Sequence, residues 1–346
     1  MAFRLRGSAF GLIAALALVW SAPAGAFEIL TMLLQAMPEA LEDDPVAPEF
    51  DFAVPRAQAG WPVGSWQTVG LDDLNPALLD RDRGIETVGI AFSDLDGILR
   101  YGAPPDSRLY LYGSAVAETE VRTALMARPG MSEAEHDSFA AFSVGTDFAV
   151  DPGGREHGYP FGGGWRAHRV AVRDGFAAVT YSTPALVSAM TAIQRLDAGT
   201  VSESPLVAMV DAAANLVPAE LNAYAAMGLP GEALRQQGAL PGPGYAIVAA
   251  SASADWEAAQ FMLLYDSEEA AAAGVASLHT ALAALREWPE GAKVQAASIR
   301  LPDGAAAIVT VLFAPGTSGH PSSTLLNQWR FAVISRSLDL ATVGAP

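Results

Sequence analysis

Apolar residues recur at helical spacing in residues 27–37 (FEILTMLLQAM), where Phe27, Ile29, Leu30, Leu33, Leu34 and Met37 share one face, and the pattern predicts a short amphipathic helix. Residues 38–59 break it. Four prolines and six acidic residues in that stretch oppose any regular element and predict a linker or extended arm.

From Trp61 onward, short apolar runs alternate with helical periodicity. Residues 86–92 (ETVGIAF) read as a strand and 94–101 as a helix stopped by Gly102-Ala103-Pro104-Pro105. Residues 108–113 (RLYLYG) alternate like a half-buried strand, and 117–127 read as a helix ended by Pro129-Gly130. Residues 139–150 and 168–182 follow as strand regions, the second turning at Asp174-Gly175. A helix over 183–195 then opens with Thr183 as N-cap and Pro184 at its first position. The order is β-α-β-α-β-β-α.

The second half echoes the first. Residues 221–227 read as a helix stopped by Gly228-Leu229-Pro230, 245–251 and 261–266 as strands, and 267–288 as a long helix capped by Ser267, with Glu268 and Glu269 in its first turn. Residues 294–301 and 305–313 form an antiparallel pair around Pro302-Asp303-Gly304. Two landmarks share nearly one offset: Gly102-Ala103-Pro104 and Gly228-Leu229-Pro230 lie 126 residues apart, and Asp174-Gly175 and Asp303-Gly304 lie 129 apart. The fold class expected is α+β: two tandem related units, residues 61–200 and 201–346, each a mostly antiparallel sheet with helices on one face in a ferredoxin-like split β-α-β arrangement.

The first 26 residues concern address rather than fold. Arg4 and Arg6 precede a 12-residue apolar run, and Ala24-Gly25-Ala26 forms a small-residue cleavage site before Phe27. That run is shorter than the roughly 20 residues a bilayer span requires. A removed signal peptide is therefore expected, with no stable membrane span after cleavage and a periplasmic or secreted destination. The chain has no cysteine, which excludes a lipid-modified thiol, disulfides and a thiolate metal site. One lysine among abundant Ala and Arg matches the output of a GC-rich bacterial genome. Cleavage leaves 18 basic against 38 acidic residues, a net charge of −20, which repels phosphate backbones and argues against nucleic acid as a partner.

Chemistry concentrates in one place only. The Gly-rich segment 151–169 (DPGGREHGYPFGGGWRAHR) carries Arg155, His157, Tyr159, Trp165, Arg166 and His168, a candidate ligand-binding loop in which aromatics stack and arginines bind an anion. Phosphate-loop and dinucleotide fingerprints fail, because Gly162-Gly163-Gly164 leads into Trp165 rather than Lys-Ser or Lys-Thr. The histidines (His136, His157, His168, His279 and His320) show no i, i+4 pair, although His157 and His168 could meet Asp147 or Asp151 across a hairpin; His279 reads as a helix-surface or boundary residue. No nucleophile elbow occurs, and Ser318-Gly319-His320-Pro321 is a polar turn. No catalytic, cofactor-binding or metal residue is nominated and no cofactor is expected. The function that follows is an exported non-catalytic binding or accessory module for a periplasmic protein or small ligand. Its rivals are a periplasmic hydrolase whose site assembles only in the fold, and a cell-envelope assembly factor acting through residues 27–59.

Overall fold

The computed structural model describes residues 26–37, 49–58, 76–102, 107–136, 139–149, 161, 168–199, 204–217, 222–231, 244–253, 255–285, 292–314 and 321–335. Among them are seven α-helices and one twelve-stranded sheet whose neighbouring strands are all antiparallel. The class is mixed α+β, as expected.

The first half contributes β1 (Phe50–Ala53), β2 (Gly97–Tyr101), β3 (Arg108–Tyr112), β4 (Ser132–His136), β5 (Phe139–Ser143), β6 (Arg169–Arg173) and β7 (Phe176–Thr180). The second contributes β8 (Asn222–Pro230), β9 (Tyr245–Ala252), β10 (Glu257–Tyr265), β11 (Lys293–Leu301) and β12 (Gly304–Phe313). Across the sheet the order is β11-β12-β10-β9-β8-β1-β2-β3-β7-β6-β5-β4. Read outward from the central β1–β8 pair, β1-β2-β3-β7-β6 on one side matches β8-β9-β10-β12-β11 on the other. The hairpin β4–β5 extends the first side only. Each side holds one split crossover: β3 and β6 flank β7, and β10 and β11 flank β12. The remaining strands arrive by a hairpin from the front rather than through a second crossover, so the ferredoxin-like order is not the one found.

Helices cover both faces, which corrects the expectation of one. On the first face, α1 (Ala26–Gln35), α4 (Thr183–Asp197) and α5 (Pro205–Ala214) share a core with Phe50, Phe52, Leu99, Tyr110, Phe176, Tyr245, Met262 and Ile308. On the opposite face, α2 (Arg81–Val88) and α3 (Glu118–Met126) pack over β2 to β7, while α6 (Glu268–Leu285) and α7 (Pro321–Ser335) pack over β8 to β12. Alternation explains how one strand serves both cores: in β9, Tyr245, Ile247 and Ala249 face the first, and Ala246, Val248 and Ala250 the second. Strands buried on both sides read as near-continuous apolar runs. The sheet order repeats between halves, but α4 and α7, which follow equivalent strands, stand on opposite faces.

Residues 38–59 do hold a regular element, contrary to the reading from their prolines. Phe50 and Phe52 of β1 are 1% and 0% exposed, and β1 pairs with β2 through Phe50↔Tyr101 and with β8 through Phe50↔Gly228. Gly228 is required there, because a Cβ would strike the Phe50 ring and come within 2.7 Å of the Tyr245 hydroxyl. Asp51, between the two phenylalanines, accepts from Arg100 Nε of β2 at 3.1 Å. Pairing on both edges also explains why residues 222–227 are strand rather than helix, since the helix preference of alanine is a weak prior that ladder bonds override.

Residues 86–88, expected to open a strand over 86–92, are instead the last turn of α2, because the caps decide. The Asp80 carboxylate accepts from the Arg83 N–H at 3.0 Å, and Gly89, at φ 74°, closes the other end in the left-handed conformation. Residues 94–101 are correspondingly no helix: a short 3₁₀ turn, Phe92–Asp94, leads into β2. At α4 the N-cap is Ser182, whose hydroxyl accepts from the Ala185 N–H at 3.3 Å, so Thr183 is the first helical residue. Ser267 does cap α6, accepting from the Ala270 N–H at 3.2 Å. The loop of β11–β12 is Pro302-Asp303, with Gly304 already paired to Leu301, so the two Asp-Gly landmarks occupy different turn positions.

Candidate functional site

β6 begins where the Gly-rich segment ends, and its first residues are the most constrained polar groups near that segment. His168 is 3% exposed; its ring lies edge-on to Phe161 at 6.1 Å between centroids and tilted against Tyr181 at 5.4 Å. Burial, reinforced by the Arg169 charge, lowers its pKa from 6.5 to about 4, so the imidazole is neutral at physiological pH.

Arg169 points into the turn after β5. Its Nε donates to Asp147 at 2.9 Å, and its two terminal nitrogens donate to the Val144 and Gly145 carbonyls at 2.9 Å each. Asp147 also accepts from the Thr183 hydroxyl at 2.9 Å. Its partial desolvation opposes ionisation, but the Thr183 bonds and the Arg169 charge outweigh it and hold the carboxyl below its ordinary range. This clamp ties β6, the β5 turn and the first turn of α4 together.

Held by the clamp is Phe148, the single non-glycine residue with positive φ among the described residues, at 56°. Its N–H donates to the Tyr181 carbonyl at 3.0 Å, while its side chain is 43% exposed. A non-glycine residue in this region costs on the order of 1 kcal/mol or more and persists only where its surroundings impose it. Val187, also 43% exposed, lies one turn beyond Thr183 on the same side of α4. Phe148 stands three residues before the start of the Gly-rich segment in the sequence.

Two further polar clusters are internal. On the first face Tyr110 donates to the Ala36 carbonyl at the end of α1 at 3.1 Å, its oxygen lies 3.1 Å from that of Tyr101, and Arg108 donates to Tyr101 at 2.8 Å. Burial raises the pKa of both tyrosines, so both remain neutral donors. On the other face, Glu257 accepts from the Ser322 hydroxyl at 2.7 Å and from its N–H at 3.2 Å, and Tyr224 lies 2.7 Å from the same hydroxyl. Ser322 is fully buried, so this carboxylate acts as a cap that seats the start of α7 on the sheet.

Of the residues nominated from the sequence, the structure places His168 at the base of the candidate loop and buries it; Arg155, His157, Tyr159, Trp165 and Arg166 lie outside the described residues. His279 is exposed on α6, as expected. Phe148 was missed, and no local signal marks it, because its φ goes with a bond to Tyr181. The Arg108 and Tyr110 pair could have been found from the period of RLYLY, which puts both on one face. Among the described residues no group of three His, Asp or Glu side chains could hold a metal ion, and no helix is long and apolar enough to cross a membrane. No protein-family model matches this chain, and no curated protein matches it.

The buried imidazole predicts a pH-dependent stability. His168 is neutral in the fold and titrates near 6.5 when exposed, so its contribution is intact above pH 6.5 and is lost as pH falls towards about 4. Across that window the native state loses about 3 kcal/mol through this residue, roughly 1.4 kcal/mol for each pH unit. Denaturant titrations at several pH values should show a shallower acid slope in His168→Phe than in the parent; equal slopes would mean that the imidazole is not held neutral.

Proposed function

We propose that this chain is an exported, non-catalytic binding or accessory module, built from two related α+β units and acting in the periplasm or the medium. The units run over residues 61–200 and 201–346, the first completed by residues 27–60. Support for relatedness comes from the matched strand orders on either side of β1–β8. Support for export comes from the n-region, apolar run and cleavage site of residues 1–26, and a cut before Phe27 leaves every residue of the described core in place.

The observation that carries the binding reading is Phe148, an exposed aromatic held at positive φ beside the Gly-rich segment. Strain of this kind concentrates at ligand clamps and contact sites. The proposed contact surface is Phe148 and Val187 together with Arg155, His157, Tyr159, Trp165 and Arg166, and its occupant is a small ligand or another periplasmic protein. The hydrolase reading fares worse because His168 sits between two aromatic rings and Ser322 is bound to Glu257 and Tyr224. An assembly factor working through residues 27–59 would need the apolar face of α1. That face is inside the core, with Leu30 and Leu33 at 0% exposure.

Two measurements test the proposal. A thermal-shift panel of metal ions, nucleotides, sugars and fatty acids should contain at least one class that raises the midpoint of the parent but not of Phe148→Ser. Phe148→Ser itself should keep a midpoint close to the parent's, since the lost side chain is largely exposed; retention of the shift in this variant would remove Phe148 from the site. Intact-mass analysis after cell fractionation should find a chain starting at Phe27 in the periplasm or medium, and soluble protein confined to the cytoplasm and still carrying residues 1–26 would contradict export.

A further inference from the structure

The two outer strands of the sheet are unlike. β4 is short, five residues, and is flanked by charge: Glu133 pairs with Arg122 at 3.0 Å. Short and charged edges resist further pairing. β11 is nine residues long, pairs with β12 without a register shift, and runs from Gln295 to Ile299 (QAASI) with no charge, proline or glycine. Of its first eight residues, five are exposed and three half-buried. Lys293, at one end, is drawn back over the Trp256 ring at 5.3 Å and does not guard the middle of the strand.

Backbone direction in β11 follows from the ladder. The Gly244 N–H donates to the Leu264 carbonyl at 2.8 Å, so Leu264 faces β9 and the next residue, Tyr265, faces β12. Tyr265 pairs with Ala305, which therefore faces β10, leaving Gly304 to face Leu301 across the hairpin. Alternation then turns the N–H and C=O groups of Val294, Ala296, Ser298 and Arg300 outward, to the side where no described strand lies.

We propose that β11 is a dimerisation edge, and that its occupant is the β11 of a second copy of this chain, running antiparallel about a twofold axis at Ala297. Outward residues bond only to outward residues, so the register must pair even positions with even: Val294 with the second copy's Arg300, and Ala296 with its Ser298. Ala297 meets its own counterpart in a non-hydrogen-bonded pair. No like charges stand opposite, since Lys293 meets Leu301.

Charge favours this edge over the rest of the surface. Repulsion between two copies of a chain with 38 acidic and 20 basic residues is least at this edge, because β11 carries Lys293 and Arg300 and no acid, and Arg300 pairs with Glu268 of α6 at 3.4 Å. The same mode already operates inside the chain, where β1 and β8 join antiparallel with the same face of each turned to one core. On the opposite face α6, which lies across β12 and β11, exposes Ala272, Ala276 and Thr280, small residues that leave room for the second copy's α6. Because the β4 edge is blunted, the assembly closes at two.

Sedimentation analysis from the micromolar into the hundred-micromolar range tests this. The purified protein should move from one to two times the mass of its own chain as concentration rises. Ser298→Pro removes an outward N–H that no described strand pairs with, so it should stay monomeric at every concentration while keeping its thermal midpoint. The chain has no cysteine, so Ala297→Cys gives an unambiguous crosslink: facing Cβ atoms about 4.5–5.5 Å apart in such a pair lie close to disulfide reach. This variant should oxidise to a covalent dimer far faster than the exposed control Ala127→Cys, which lies at the end of α3, away from β11. A parent that remains monomeric throughout, or crosslinking no faster than the control, overturns the proposal.

Discussion

Four residues, Phe50 to Ala53, carry the backbone hydrogen bonds that make one sheet of strands contributed from either side of the chain. Their side chains are as constrained as their ladder. Phe50 and Phe52 bury their rings on the first face, each contributing on the order of 2–3 kcal/mol through burial. Asp51 projects to the other side at 5% exposure and pairs there with Arg100; loss of one partner from such a buried pair costs about 3–5 kcal/mol. Gly228 makes room for Phe50, and Tyr245 stacks on the same ring at 6.3 Å. The α1 helix follows from this arrangement, since Ile29 and Leu33 approach the space left by Gly97 of β2.

Several polar groups inside the molecule hold its elements together. The Tyr110–Tyr101–Arg108 chain anchors the end of α1, Glu257 and Ser322 seat α7, and Gln260 donates to the Ala213 carbonyl at 2.7 Å to hold the end of α5. His168 is spent in the same way, as a neutral ring between two others. Under the proposed function, recognition falls to the periphery, at Phe148 and the outer edge of β11. This division matches the general physics, in which a rigid scaffold positions contacts on its loops and edges.

Strong periodicity and turn chemistry were legible in the sequence. RLYLY, FAAVT after Asp174-Gly175, YAIVAAS and the strands around Pro302-Asp303 all stand where their patterns put them, and so does the buried stripe of α1. Failures occurred where tertiary pairing overrode local preference. NAYAAM has the composition of a helix but lies between two strands, and the acidic, proline-rich stretch conceals FDFA, whose partners lie about 48 and 175 residues away. ETVGIAF misled in the opposite sense, its β-branched residues outweighed by the Asp80 and Gly89 caps. For the candidate site, the Gly-rich segment was visible as composition, whereas the clamp on Asp147 needs Arg169, 22 residues further on, and the positive φ of Phe148 goes with a bond to Tyr181; both are properties of the fold alone.

The central claim is that β1 and β8 make a single cooperative sheet rather than two bodies joined by a linker. Native-state hydrogen exchange measures this directly, because amides exchange either by local opening or only by global unfolding. The account predicts that the amides of residues 50–53 and 225–228 are among the slowest in the chain and share one free energy of opening with the strands on both sides. Fast exchange at these positions, with the two halves opening at separate free energies, would contradict it.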